Sequence, residues 1–200
     1  LNAVGVDGMI KFAKHGSTVT TAAVKLARAK TGRTLIACPV EQPFFSFDDW
    51  FIGVTKVDFG IPHEIKSTTK RFCYGDIDDL HNLFSKYPSE IACVVMEPVK
   101  FAQPKPEYLK EVKELCRRRG AILIFDEMVT GCKWAIGGGQ EFFGVTADLS
   151  TWGKGIANGY ACAALVGDHD LMRLGGIEEE RTGERKLFLM TIKVDHNIML

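Results

Sequence analysis

The sequence predicts an α/β fold, a mostly parallel sheet flanked by helices. Segments with apolar residues at helical spacing alternate with short runs that are apolar throughout, at the spacing of strand–helix–strand crossover units. In such sheets ligands bind beyond the carboxyl ends of the strands. The residues that directly follow each apolar run are therefore the first candidates for chemistry.

The first helix is predicted to begin at Gly16-Ser17 and to stop at Gly32, because apolar residues recur at helical spacing between these signals. A short apolar run follows at residues 34–38. Residues 39–62 are rich in aromatic residues, proline and glycine, which predicts a long loop with short embedded elements. Such loops often carry functional residues.

Two further helix–strand units are predicted. A helix over residues 77–87 leads into the apolar run 91–96, which is typical of a strand buried on both faces. A helix over residues 106–120 leads into the apolar run 121–125, and residues 149–152 form a last apolar run.

The composition excludes several classes of protein. The 200 residues are 46% hydrophobic and 25% charged, and 25 basic residues balance 25 acidic ones, so no global field attracts nucleic acid or anionic lipid. Arg117-Arg118-Arg119 ends a predicted helix, where cations are typical, and is interpreted as structural. Neither a membrane-spanning run nor a secretory signal is recognisable. We expect a cytoplasmic protein without nucleic-acid or membrane partners.

The cysteines and histidines indicate no metal site. The six cysteines form no C-x-x-C pair and several fall in apolar runs, which indicates free thiols in a reducing compartment. The five histidines form no H-x-x-x-H pair.

Charged residues follow three of the apolar runs. Asp126 is costly at the end of a buried strand unless a cation or several hydrogen-bond donors meet it. Lys154 follows a later apolar run, and Gly153 and Gly155 leave space around it. A buried structural ion pair between Asp126 and Lys154 and a functional pair are equally compatible with these residues.

A third element favours function. Gly16-Ser17 at the start of the first helix offers unpaired backbone N–H groups and a hydroxyl to a phosphate, although alone it would usually be only an N-cap. A phosphate cradle, a carboxylate for a ring nitrogen (Asp126) and an amine for an aldehyde (Lys154) are together the parts that hold pyridoxal 5′-phosphate (PLP) as a Schiff base.

Three segments carry a family resemblance. They are LIFDEMVTGCKWAIGGGQEFFGVTADLSTWGKGIANGY, FAKHGSTVTTAAVKLARAKTGR and FFSFDDWFIG. In this order they resemble the D-E and lysine signature, the phosphate cup with its helix, and the aromatic-His-Gly segment of class III PLP-dependent aminotransferases. These are the glutamate 1-semialdehyde 2,1-aminomutase-like enzymes of fold type I. The resemblance implies an aminotransferase or aminomutase acting on a small amino or carbonyl substrate, with active sites at a homodimer interface.

The resemblance also implies roles for single residues. Lys154 would be the Schiff-base lysine and move protons, and Asp126 would keep the pyridine nitrogen protonated. Gly16 and Ser17 match the phosphate-binding positions. Met128 matches the apolar residue that packs on one face of the cofactor ring.

Phe44 matches the aromatic residue that stacks on the other face, and a core aromatic is nearly as compatible with its position. At position 129 the ω-aminotransferase branches of the family often have glutamine, and Val129 resembles the aminomutase-like branch instead. His15 replaces the usual serine or asparagine, and Phe45-Ser46 replaces the usual His-Gly.

Other positions depart further. Glu97-Pro98-Val99 matches an E-P-V turn, whereas Lys100-Phe101 departs from the glycine-containing loop that usually follows. Thr191 is the nearest candidate for a threonine that binds the phosphate of the neighbouring subunit. We expect residues 1–200 to be a partial PLP-binding large domain, without the family's N-terminal segment and C-terminal small domain.

Two alternatives stand beside this interpretation. One is a truncated, non-catalytic product with at most weak cofactor binding. The other is a nicotinamide-binding domain, but the only glycine-rich run, Gly137-Gly138-Gly139, lacks the G-x-G-x-x-G pattern after a strand and is interpreted as a surface loop.

Overall fold

The computed structural model describes residues 8–100, 104–105 and 107–175 of the chain. They form seven strands, seven α-helices and one short 3-10 helix. The strands are β1 (Gly8–Ala13), β2 (Leu35–Pro39), β3 (Thr69–Phe72), β4 (Ile91–Met96), β5 (Ile122–Asp126), β6 (Leu149–Trp152) and β7 (Ala163–Asp168). The helices are α1 (Gly16–Thr31), α2 (Asp49–Ile52), α3 (His63–Lys66), α4 (Ile77–Lys86), α5 (Tyr108–Arg119), α6 (Gly138–Phe143) and α7 (His169–Arg173), and the 3-10 helix covers Lys154–Ile156.

All strands belong to one sheet of order β1-β7-β6-β5-β4-β2-β3. Five neighbouring strands of the sheet, β6, β5, β4, β2 and β3, are parallel to one another. Strand β7 runs antiparallel to β6, and β1 runs antiparallel to β7. The predicted mostly parallel α/β fold is therefore confirmed. The sequence interpretation missed β1 and β7, which close one edge of the sheet, and β3, which forms the other edge.

Both faces of the sheet are covered, as the continuous apolar strands predicted. Along β4, Cys93 and Val95 pack in the cluster that includes α1, and Val94 and Met96 pack in the cluster that includes α4 and α5. This alternation is that of any strand, but here both sides are apolar because helices lie on both sides.

The predicted helix ends are also observed. Gly32 and Gly120 follow α1 and α5 in the left-handed conformation, with φ values of 67° and 65°, which glycine adopts without steric cost. Arg117, Arg118 and Arg119 occupy the last turn of α5, as expected for a structural cluster. Among the described residues, no helix is both long and apolar enough to span a bilayer.

Candidate functional site

The carboxyl ends of the parallel strands border a cavity of about 660 Å³. Asp126 ends β5, Glu97 follows β4, and Lys154 lies two residues after β6. All six residues that the sequence analysis singled out as site residues line this cavity: Gly16, Ser17, Phe44, Asp126, Met128 and Lys154. These six residues come from four sequence-distant segments and meet at one place.

Asp126 presents a buried carboxylate to the cavity. The residue is 3% exposed, and its Oδ1 atom accepts a hydrogen bond of 2.9 Å from the backbone N–H of Met128. Its Oδ2 atom accepts no hydrogen bond from any residue that the structure describes. The pKa of Asp126 is raised to about 7, chiefly by burial and to a smaller extent by the nearby charge of Glu97. The Met128 N–H and the charges of Lys154 and Lys100 lower the pKa only in part.

Lys154 is exposed just beyond the carboxyl end of β6 and begins the 3-10 helix. Its φ of 47° lies in the left-handed region, which is uncommon for a residue with a Cβ atom and is concentrated at functional sites. The salt bridges within the described residues do not include a pair between Lys154 and Asp126. The alternative of a buried structural ion pair is therefore wrong, because Lys154 is accessible and acts on Asp126 only through its charge at a distance.

Met128 is packed between the two glycine-bearing segments of the site. A Cβ atom on Gly16 would lie 3.0 Å from the Met128 Sδ atom, and one on Gly153 would lie 2.5 Å from it. That Gly153 and Gly155 leave space around Lys154 stays a prediction, but both glycines also have other neighbours. Gly153 makes room for Met128, and the nearest neighbour of a Cβ on Gly155 would be the carbonyl oxygen of Gly131 at 3.8 Å.

The N-terminus of α1 is open toward the cavity. Its N-cap residue, His15, makes no side-chain capping hydrogen bond, and no acidic residue lies in the first turn. Ser17 is buried, and its Oγ atom accepts a hydrogen bond from the Phe47 N–H at 3.1 Å. The positive end of a 16-residue helix thus faces a cavity without an acidic side chain of its own to neutralise it.

Phe44 and Phe45 have opposite environments. Phe44 is 53% exposed and lines the cavity, with its ring edge-on to Phe51 at a centroid distance of 6.1 Å. Phe45 is 2% exposed and packs edge-on to the same ring at 5.3 Å. Of this pair, Phe45 is the core aromatic, so the core-aromatic interpretation of Phe44 is wrong.

The glycine run is neither a dinucleotide-binding loop nor a surface loop. Gly138 and Gly139 are buried at the start of α6, and the N–H of Gly139 donates to Glu127 Oε2 at 2.9 Å. The run follows a turn segment rather than a strand and surrounds a carboxylate of the protein itself. The nicotinamide alternative is therefore not supported by the place of this run in the fold.

Sequence reasoning missed part of the cavity wall. Tyr160, Ala161 and Cys162 line the cavity because Asn158 and Gly159, both at positive φ, turn the chain back toward it after Lys154. The N-G pair was a turn signal that pointed there.

Glu97 and Lys100 line the cavity as well, and the Lys100 ammonium bonds to Glu97 Oε1. The side chain of Gln42 brackets the backbone of Glu97 with bonds of 2.8 and 2.9 Å. Thr191 lies outside the described residues.

Comparisons with known proteins agree with this architecture. A family model described as aminotransferase class-III matches residues 1–179. A 3-aminobutyryl-CoA aminotransferase from Cloacimonas acidaminovorans is 38% identical over 172 residues, which are 83% of this chain and 40% of that protein. A glutamate-1-semialdehyde 2,1-aminomutase from Hyperthermus butylicus is 32% identical over 177 residues, which are 82% of this chain and 42% of that protein.

A solved structure of a transaminase with PLP bound superposes with a TM-score of 0.84 at 22% identity. The match covers 94% of this chain and 47% of the transaminase chain, and it shows that the two share a fold. The chain spans about 40% of the length of the two curated relatives.

Proposed function

Since the chain belongs to the class-III aminotransferase family, we propose that it forms the PLP-binding part of an enzyme that moves an amino group. The group would pass between two molecules in an aminotransferase, or between two carbon atoms of one molecule in an aminomutase. The observation that carries this proposal is the convergence of Asp126, Lys154 and the uncapped start of α1 on one cavity. The curated relatives include both kinds of enzyme by name.

The donor set fits PLP. The Asp126 Oδ2 atom, which accepts no hydrogen bond from the described residues, suits a protonated ring nitrogen, and the N–H groups at Gly16 and Ser17 suit a phosphate dianion. Phe44 and Met128 present an aromatic ring and a thioether to the same cavity, which suits the faces of a heterocycle. The left-handed backbone at Lys154 presents its amine at the cavity wall.

Bound PLP would supply an aldehyde for an amine and a ring that withdraws electrons from a neighbouring carbon. The Asp126 carboxylate would hold a proton on the ring nitrogen, and the positive charge it meets there would lower its raised pKa. The Lys154 Nζ atom would carry a proton to and from the substrate carbon that gains or loses the amino group. The α1 dipole would fix the phosphate and thereby the orientation of the ring.

The same assignment leads to proposals about partners and location. The substrates would be small amino and carbonyl compounds, and the protein would act in the cytoplasm as a homodimer. Support for a second subunit comes from the exposed aromatic wall of the cavity, since Phe44, Phe47 and Tyr160 are 53%, 62% and 86% exposed. A purified monomer with full cofactor occupancy in sedimentation would contradict the homodimer.

Reductive trapping tests the proposed function. The purified chain is incubated with PLP, reduced with borohydride and mapped by peptide mass spectrometry. We expect a PLP-sized adduct on Lys154. Lys14 and Lys100 also line the cavity, so variants Lys14→Ala and Lys100→Ala are the matched controls that must retain the adduct while Lys154→Ala loses it. A chain without any adduct at Lys154 would instead support the non-catalytic alternative.

A further inference from the structure

Glu127 follows Asp126 directly, yet its side chain lies in a different environment. It is completely buried, and its carboxylate accepts hydrogen bonds from the Thr130 hydroxyl, from the Gly139 N–H at 2.9 Å and from the Gln140 N–H at 2.9 Å. A buried carboxylate is costly unless it is met by donors in this way. The side chain therefore ties the start of α6 to the segment that leaves β5.

The backbone of Glu127 is held as well. Its N–H donates to the Thr151 carbonyl of β6 at 2.8 Å, and its carbonyl accepts from the Gly131 N–H at 2.8 Å. One residue thus connects the end of β5, strand β6 and the turn after β5. The two backbone hydrogen bonds of Glu127 therefore fix the chain between Asp126, which precedes it, and Met128, which follows it.

The glycine run is shaped around this carboxylate. A Cβ atom on Gly138 would lie 2.5 Å from Glu127 Oε2, and Gly138 has a φ of +76°. A Cβ atom on Gly139 would lie 2.9 Å from Pro98. Only glycines allow α6 to begin this close to β4 and β5.

We propose that Glu127 is a positioning residue that acts through Asp126. By fixing the backbone that follows β5, it keeps the Met128 N–H on Asp126 Oδ1, and this single bond aims the other carboxylate oxygen into the cavity. Adjacent residues at the end of a strand point to opposite faces, so one carboxylate faces the cofactor cavity while its neighbour anchors the backbone on the other face. That Glu127 thereby influences how Asp126 holds the ring nitrogen of PLP rests on the proposed function.

Amide hydrogen exchange in the PLP-free chain tests the structural part. In Glu127→Gln an amide NH₂ replaces one accepting oxygen and faces a backbone donor. We expect exchange at Met128, Gly139 and Gln140 to accelerate about tenfold relative to the core amide of Ile124, as expected for the loss of one charge-assisted hydrogen bond. Normalising to Ile124 removes any global loss of stability.

The matched control is Glu141→Gln. Glu141 is exposed on the same helix and accepts one backbone hydrogen bond, from Gly137 at 2.5 Å. The Glu141→Gln variant should leave amide exchange at Met128 unchanged. Acceleration at Gly139 and Gln140 without any at Met128 would overturn the proposal, because Glu127 would then only hold α6.

The visible absorbance of bound PLP, titrated with pH, tests the link to Asp126. Glu127→Gln should shift the titration midpoint by at least about half a pH unit, since the ring nitrogen would be held less well. In the Asp126→Asn background the same change should cause no further shift. A parent that binds no PLP would contradict the proposed function, and the exchange experiment would still decide whether Glu127 positions Asp126.

Discussion

The Met128 Sδ atom lies 2.5 Å from the place that a Cβ atom would occupy on Gly153, closer than real Cβ contacts occur. The same sulfur lies 3.0 Å from the corresponding place on Gly16. One thioether therefore fills the space between the start of α1 and the segment that carries Lys154. The size of the residue at position 153 controls where this side chain can lie.

Gly153→Ala is expected to displace Met128 and to lower the free energy of unfolding by about 1–3 kcal/mol, the usual cost of overpacking. The φ of Gly153 is −175°, so the cost comes from contact rather than backbone strain. Gly155→Ala is the control, because its Cβ would meet only an ordinary contact at 3.8 Å. Urea unfolding measures both. Adding Met128→Ala should make Gly153→Ala less costly, and strict additivity would contradict the contact.

Asp126 should make the PLP-free chain less stable as pH rises. Its folded-state pKa is about 7 against an ordinary value of 3.8. Between these values the folded chain holds a proton that the unfolded chain has lost, so the stabilising contribution disappears as pH passes the folded pKa. The full effect is at most about 4 kcal/mol, at ~1.4 kcal/mol per pKa unit.

The measurement is urea unfolding between about pH 4 and 8. Asp126→Asn, which cannot ionise, should be more stable than the parent at the alkaline end, and the difference should shrink toward acid. Asp78→Asn, an exposed carboxylate on α4, should keep the pH profile of the parent. Parallel profiles for the parent and Asp126→Asn would show that Asp126 does not titrate in this range.

Lys154→Gly should be more stable than Lys154→Ala by about 1 kcal/mol, because a Cβ atom is strained at the φ of 47° that this position adopts. Both variants should lose the reductive PLP adduct. At exposed Lys25 within α1, the order should be reversed, with alanine more stable than glycine. Equal stabilities at position 154 would indicate that the backbone there is unstrained.

Alanine substitutions at Phe44 and Phe45 should have different effects, the first mainly on cofactor binding and the second mainly on folding stability. Phe45→Ala removes a buried ring and should cost about 3–5 kcal/mol of unfolding free energy. Phe44→Ala removes a half-exposed ring and should cost less than about 1 kcal/mol, while weakening PLP binding about threefold to tenfold through lost aromatic contact. Urea unfolding and PLP titration measure the two effects. A folding cost at Phe44 equal to that at Phe45 would contradict the assignment.

Local patterns predicted four of the five parallel strands, β2, β4, β5 and β6, because the signal for each lies within one short segment. Ile91–Met96 is apolar throughout, and Gly32 and Gly120 stop helices by their own conformational freedom. Strands β1 and β7 were missed because their pairing joins residues about 150 to 160 positions apart, such as Ala13 and Ala163, and no local signal encodes such a partner. The short strand β3 was missed as well.

The candidate site divides in the same way. The identities of Asp126 and Lys154 at strand ends were readable, because polar residues after buried strands are unusual. Their relation was not: the sequence left an ion pair open, and only the tertiary structure separates a buried Asp126 from an exposed Lys154. Likewise, the run at Gly137–Gly139 could be interpreted only once Glu127 was placed beside it.

By itself the sequence determined which side chains stand at the ends of the strands, because strand and helix limits follow from local hydrophobic period and from glycine. Only the tertiary structure decided which of those side chains share a cavity, which are buried and what each one contacts. The physical reason is that burial, charge interactions and close packing depend on distances between segments that lie far apart in the chain.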